Sequence, residues 1–264
     1  MYRRLLLILS LLVVMTHEVV AQATVLGFSL GANFSNLVGP GKIEGSKPRF
    51  GFCPGLVLNF PTAFESYLEV GAFYSQQGVN IKTEDYGADP EALIPYMGKD
   101  LYYKYTQQNI RTLRYQTNIS KHVNYLCIPV MWKQSFGALY GKIGPWASFA
   151  LDAYSQKKVT IHCGADTVVK YDSSKDTTAV GKAFNQSFIN KLRKYDVGGA
   201  ISVGYQTAIG QGLDLFIDVS YKVGFFSVED EPQNRKSTIR NMYFTVSTGL
   251  FFVRDRRSRT YRRR

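Results

Sequence analysis

Eight segments of this chain alternate apolar with small or polar side chains at a period of two, and their apolar faces carry no charge. The segments are 26–34, 50–60, 68–75, 124–133, 139–152, 195–206, 213–225 and 242–253. Period two places alternate side chains on opposite faces of a strand. Across the eight apolar faces there are 46 positions, where 20% charged residues overall would supply roughly nine charges. A face so free of charge over eight strands needs an apolar surrounding on its whole length.

The opposite faces settle which surrounding that is. They carry Gly27, Ser29, Gly31, Asn33, Gly51, Gly55, Asn59, Gly71, Ser148, Gly198, Ser202, Gly204, Ser220 and Ser247. The charges on those faces are Glu69, Lys133, Lys142, Asp152, Asp196, Asp214, Asp218 and Lys222. A soluble barrel turns its apolar side inward and needs a charge-dense exterior. Small residues with a few charges of mixed sign suit a narrow interior, so the pattern predicts an inside-out barrel whose apolar face meets lipid. Lipid offers no hydrogen-bond partners, and closure into a barrel is the way a sheet satisfies its edges there. Eight strands make a lumen that side chains fill.

The connections agree. Short turns follow residues 60, 133 and 206, whereas 35–49, 76–123, 153–194 and 226–241 are long and polar. Short and long connections in alternation are the plan of an outer-membrane barrel with periplasmic turns and external loops. Pro54, Pro129 and Pro145 remove ladder hydrogen bonds and predict local bulges. Tyr74, Tyr125, Tyr195, Tyr205, Tyr221 and Tyr243 include candidates for interfacial girdles where they face lipid.

The net charge of +12 is concentrated at the termini. Arg3 and Arg4 precede the apolar run 5–15 and a small residue, Ala21, which reads as a secretory signal peptide over 1–21. Seven arginines crowd the tail 254–264, and the barrel domain between, 22–253, is only +5. That body has no nucleic-acid fold or aromatic RNA motif, which argues against nucleic acid as a partner.

Catalytic and metal readings find little support. Paired lumen carboxylates can do proton work, but charges in a lipid-enclosed lumen must pair to offset desolvation, so the eight are expected to form a structural plug. His162, Cys163 and Asp166 lie together without a second ligand cluster, and no metal or other cofactor is expected. The two histidines outside the leader, His122 and His162, have no nucleophile motif beside them. Three cysteines, Cys53, Cys127 and Cys163, cannot all pair within the chain; the expectation is unpaired thiols or one incidental bridge. Loops carry binding functions disproportionately, and Tyr86, Tyr96, Tyr102, Tyr103 and Tyr105 make 76–123 the candidate binding loop.

The chain resembles the PorT-like outer-membrane β-barrel proteins of the Bacteroidota. The resemblance is carried by Gly-Phe-Ser-Leu-Gly-Ala-Asn-Phe-Ser-Asn at 27–36, Leu-Glu-Val-Gly-Ala-Phe-Tyr-Ser-Gln-Gln-Gly at 68–78 and Asn-Tyr-Leu-Cys-Ile-Pro-Val at 124–130. Gly-Lys-Ile-Gly-Pro-Trp-Ala at 141–147 and Ser-Thr-Gly-Leu-Phe-Phe at 247–252 continue it in the family's order. The resemblance implies an eight-stranded antiparallel up-and-down barrel in the bacterial outer membrane, lipid as its surroundings, and an envelope or secretion protein as partner, since one member is linked to the type IX secretion machinery. It supplies no catalytic residues, and the arginine tail departs from the usual close on a final-strand aromatic. The leading expectation is a non-enzymatic membrane anchor or interaction module using its external loops. A narrow pore for small solutes and a barrel-embedded hydrolase stand as alternatives.

Overall fold

The computed structural model describes residues 24–38, 45–62, 65–86, 113–163, 166–173, 192–227, 240–253 and six positions between 94 and 103. The leader, the arginine tail, Tyr102 and Tyr105 lie outside the described residues.

Among the described residues ten strands form one antiparallel sheet: β1 (Val25–Val38), β2 (Ser46–Phe52), β3 (Gly55–Pro61), β4 (Ser66–Tyr86), β5 (Leu113–Phe136), β6 (Leu139–Cys163), β7 (Asp166–Asp172), β8 (Tyr195–Gly210), β9 (Leu213–Gly224) and β10 (Arg240–Phe252). The order runs β10-β9-β8-β6-β5-β4, then β2 and β3 between β4 and β1, and β1 pairs with β10 from Leu26↔Phe252 to Val38↔Arg240. That last ladder closes the ring. β2 and β3 share one register against β1, since Phe52 pairs with Ala32 and Gly55 with Ser29. They therefore count as one stave of an eight-stranded barrel, with β7 an added strand paired to β6.

The side chains are sorted as an inside-out barrel requires. Leu30, Ile143, Val203 and Ile217 are 50–66% exposed on the outer wall. Tyr74, Tyr195 and Tyr205 are exposed on that wall, whereas Tyr125 and Tyr243 are buried in the lumen. No helix among the described residues is long and apolar enough to cross a membrane.

Three strands are far longer than the alternation predicts. β4, β5 and β6 contain 21, 24 and 25 residues, where a bilayer crossing takes about 9–11. The segments 76–86, 113–123 and 153–163, read from sequence as loop, are paired strand. The physical reason is a change of surroundings. Above Tyr74, outward Asn80, Lys82 and Glu84 are exposed while inward Val79 and Ile81 are buried to 1% and 3%. Beyond the lipid the sheet meets water, and the apolar set moves to the inner face.

β6 makes the same exchange by a different route. The pairing passes from Tyr125↔Ala150 to Asn124↔Asp152, leaving Leu151 as an extra residue. One extra residue moves every later side chain to the other face. Odd-numbered Phe149 and Leu151 are therefore exposed, and odd-numbered Ala153, Val159 and Ile161 are buried. The alternation in the sequence runs on unbroken while the face it marks reverses.

The prolines behave differently from the expectation of a bulge at each. At Pro54 the strand is interrupted, and the register against β4 changes by one between Gly55↔Phe73 and Pro48↔Val79. Pro129 and Pro145 stay in register, opposite Trp146 and Gly199. They sit where pairing with one neighbour is already relaxed: no pair forms between Pro129↔Trp146 and Trp132↔Ile143.

Candidate functional site: a plugged lumen beneath an external wall

The lumen is filled in layers. At the periplasmic end Val25, Val57, Phe216, Phe251 and Val253 form an apolar cluster. Above it, Lys133 Nζ donates to Gln206 Oε1 at 2.8 Å, and Gln206 Nε2 donates to Asp214 Oδ2 at 2.9 Å. The Lys133 ammonium also lies 4.1 Å from the Tyr140 ring centroid and 4.9 Å from that of Phe251. A cation over an aromatic face gains where water is excluded.

The middle layer is an ionic knot. Lys142 Nζ, from β6, sits 2.7 Å from Glu69 Oε1 of β4 and 2.7 Å from Asp218 Oδ2 of β9. Ser202 Oγ and the Tyr140 hydroxyl donate to the same Asp218 oxygen at 2.7 and 3.1 Å. These three strands lie on different sides of the ring, so the knot ties the barrel across its bore. Lys222 lies above it, 5.6 Å from the Phe73 centroid and 5.3 Å from that of Tyr243.

Higher still, Trp146, Tyr243, Cys127, Met131 and Ala200 pack together. Asn241 Nδ2 donates to Asp196 Oδ2 at 3.0 Å, and Asn33 links Thr245 to Ser75 through bonds of 2.7 and 2.8 Å. Val123, Tyr125, Ala153 and Leu192 close the mouth. Glycine makes room for these aromatics: a Cβ on Gly198 would stand 2.7 Å from the Trp146 ring, and one on Gly204 would overlap Tyr140. A lumen void of about 40 Å³ remains among these layers, space for a few waters. Glu69, Phe73, Lys142, Asp218, Lys222 and Cys53 line it.

Seven of the eight charges anticipated for the lumen are there, and Asp152 is the correction. It is exposed on the outside because the bulge at Leu151 reverses the face of β6 just before it. Cys53 and Cys127 are free and buried in the lumen. The lumen residues not anticipated from sequence are neutral: Tyr140, Gln206 and Asn241 join the anticipated Ser202 in completing the bonding of the charges. Their signal was present in parity, since each lies on the inward face of its strand.

Above the lipid, β4, β5, β6 and β7 make an external wall. Arg114 Nε lies 2.6 Å from Glu84 Oε1, and Gln116 Nε2 and the Tyr86 hydroxyl donate to Glu84 as well. The bond from Arg114 first, then that from Tyr86, holds the Glu84 carboxyl down at about 2. His122 stacks on Tyr154 with centroids 4.4 Å apart. Burial, then the Arg49 charge, pushes its imidazole down to about 4.

Three tyrosines of the candidate binding loop, Tyr86, Tyr96 and Tyr103, are among the described residues. Tyr86 is 67% exposed at the tip of β4. Tyr96 and Tyr103 are helical, not irregular loop. Tyr96 turns back onto the wall, its ring 5.1 Å from that of Tyr171, its hydroxyl accepting from Lys157 Nζ. Tyr103 is exposed. Among the described residues no three His, Cys, Asp or Glu side chains gather as a metal centre.

A closed antiparallel ring, an apolar outer belt and a side-chain-filled bore together define an integral β-barrel of the bacterial outer membrane. The chain belongs to the family described as the outer membrane protein beta-barrel domain, which it matches over residues 20–230. Among solved structures it is similar to the neisserial surface protein A, at 7% identity over 85% of this chain and 96% of that one, with a TM-score of 0.35. It is similar also to Ail, the attachment invasion locus protein of Yersinia pestis, at 13% identity over 88% and 100%, with a TM-score of 0.34. A major outer membrane protein of Thermus thermophilus matches at 11% identity over 86% and 98%, with a TM-score of 0.33. No curated protein matches the sequence.

Proposed function

We propose that the protein is a non-enzymatic outer-membrane anchor that presents an external β-wall to a partner in the cell envelope. The observation that supports this most is the division of labour along β4, β5 and β6. Their lower halves share in a lumen tied by Lys142, Glu69 and Asp218, and their upper halves continue as ordered sheet well outside the lipid. A pore would need the bore that these side chains occupy. A hydrolase would need a nucleophile beside a base, and His122 is stacked on Tyr154 on the outer face.

The resemblance to PorT-like proteins of the Bacteroidota makes the secretion machinery one candidate partner, and the signal peptide over 1–21 would route the chain to the outer membrane. The arginine tail 254–264 would meet anionic headgroups or an envelope protein on the periplasmic side. Planar-bilayer recording tests the anchor reading against the pore: the purified barrel should be nearly silent, and a steady single-channel conductance would favour transport. In cells, replacing residues 80–120, the upper halves of β4 and β5, by a short turn should keep the heat-modifiable barrel and abolish cross-linking to external neighbours. Unchanged cross-links would refute the wall as the presenting surface.

A further inference from the structure

Four charged side chains line the lumen void, Glu69, Lys142, Asp218 and Lys222, and their contacts are uneven. Lys142 holds both carboxylates at 2.7 Å. Lys222 is only 7% exposed, yet among the described residues it meets no carboxylate. Its ammonium has the rings of Phe73 and Tyr243, at 5.6 and 5.3 Å from their centroids. Glu69 shows the opposite lack: Oε1 takes Lys142, and Oε2 is buried without a hydrogen-bond partner among the described residues. A buried charge left without a partner is among the costliest features a fold can carry.

The space between the two is lined by hydroxyls. Asp218, Ser220 and Lys222 face the bore at alternate positions of β9, so Lys222 starts about 13 Å of strand above Asp218. Ser220 lies between them, and Ser29 of β1 and Ser247 of β10 face the same void. Among the described residues none of these three hydroxyls has a protein partner. A cavity lined this way differs from the apolar kind that stays dry.

We infer that the void is a bound-water site, and that its waters carry an ion pair across it from Lys222 to Glu69 Oε2. A void of about 40 Å³ holds about three waters, each of which needs two to four polar partners. Water is the one small ligand that fits both ends, because it accepts from the ammonium and donates to the carboxylate. An anion would suit Lys222 and the serines but would face Glu69 and Asp218, where the four lining charges already sum to zero. A metal cation would suit Glu69 but would face two ammonium groups. A bridging water is nearly as good as a direct hydrogen bond. Glu69 thus serves both cations, Lys142 directly and Lys222 through water, and β4, β6 and β9 are joined in one circuit of charge.

The test uses the full chain in detergent. Crystals of wild type grown with bromide in place of chloride should show ordered waters linking Lys222 Nζ, the serine hydroxyls and Glu69 Oε2. An anomalous bromide peak beside Lys222 would make the void an anion site and overturn the assignment. Xenon entering it under pressure, or a void without water density, would make it dry and overturn it as well. Urea unfolding of K222M, E69Q and K222M/E69Q then reads the link. The double variant should be at least about fivefold more stable, in its unfolding constant, than the two single losses multiplied together. A product matched to within about twofold refutes the pair. K222M and D218N should couple by less than about twofold; coupling equal to that with E69Q would reduce the effect to the general field of the layer. Should a single variant fail to fold, the wild-type crystal decides alone.

Discussion

Lys142 Nζ and Asp218 Oδ2 meet at 2.7 Å in the middle of the bore, with Glu69 Oε1 equally close to the same ammonium. Removing the lysine leaves two carboxylates without their cation in a site closed to water. K142M should therefore destabilise the barrel by about 3–5 kcal/mol, the usual effect of breaking a buried ion pair from one side. The triple variant K142M/E69Q/D218N should recover much of that loss. Urea unfolding followed by the heat-modifiable band measures both.

Asp152 and Asp218 test the reversal of β6. D218N removes the negative charge that pairs with Lys142 and leaves one acceptor oxygen to serve Lys142, Ser202 and Tyr140, and should be strongly destabilising. D152N, on the exposed outer side, should lie within about 0.5 kcal/mol of wild type, as surface substitutions do. Equal costs would place both residues in the bore.

Cys53 and Cys127 are free thiols on the two sides of β4, Cys127 opposite Phe73 in the ladder and Cys53 in the break between β2 and β3. Two strand spacings separate them by about 9–10 Å, beyond the Cα separation a disulfide allows, about 7 Å at most. Copper-phenanthroline oxidation of the folded barrel should leave both thiols titratable. Maleimide labelling should be slow until urea unfolds the chain.

His122 carries a pH signature. Its folded pKa of about 4 lies below the ordinary 6.5 because burial and then the Arg49 charge disfavour the imidazolium. A depressed value means that the unfolded chain binds the extra proton first. This residue's contribution is therefore complete above about pH 6.5 and is lost as pH falls toward 4. H122Q should flatten the stability profile in that window and leave it unchanged above about pH 7.

Glu65, in the turn between β3 and β4, adopts φ of 59°. A side chain in the left-handed region costs on the order of 1 kcal/mol, which glycine avoids. E65G should raise the unfolding midpoint slightly or leave it unchanged; a clear loss would show that the Glu65 side chain has a contact outweighing the strain.

Parity carried much of this fold in plain sight. A charge-free face on 26–34, 213–225 or 242–253 can exist only against lipid, and the small residues opposite can serve only a crowded bore. Those two statements depend on side-chain chemistry and the period of a strand, both local, so the outer belt and seven lumen charges were readable residue by residue. The wall was not. Lys82, Glu84 and Lys158 look like loop when one solvent is assumed for the whole length of a strand.

The sequence by itself determined an inside-out barrel, its eight crossings and the side on which its turns are short, because lipid imposes one rule on every residue it touches. Tertiary structure alone decided where that rule stops. It showed strands running on beyond the lipid, β6 reversing face through Leu151, and which charges meet across the bore. These outcomes depend on how strands from distant parts of the chain align, and alignment is set by the summed pairing of the whole ring, which no single segment encodes.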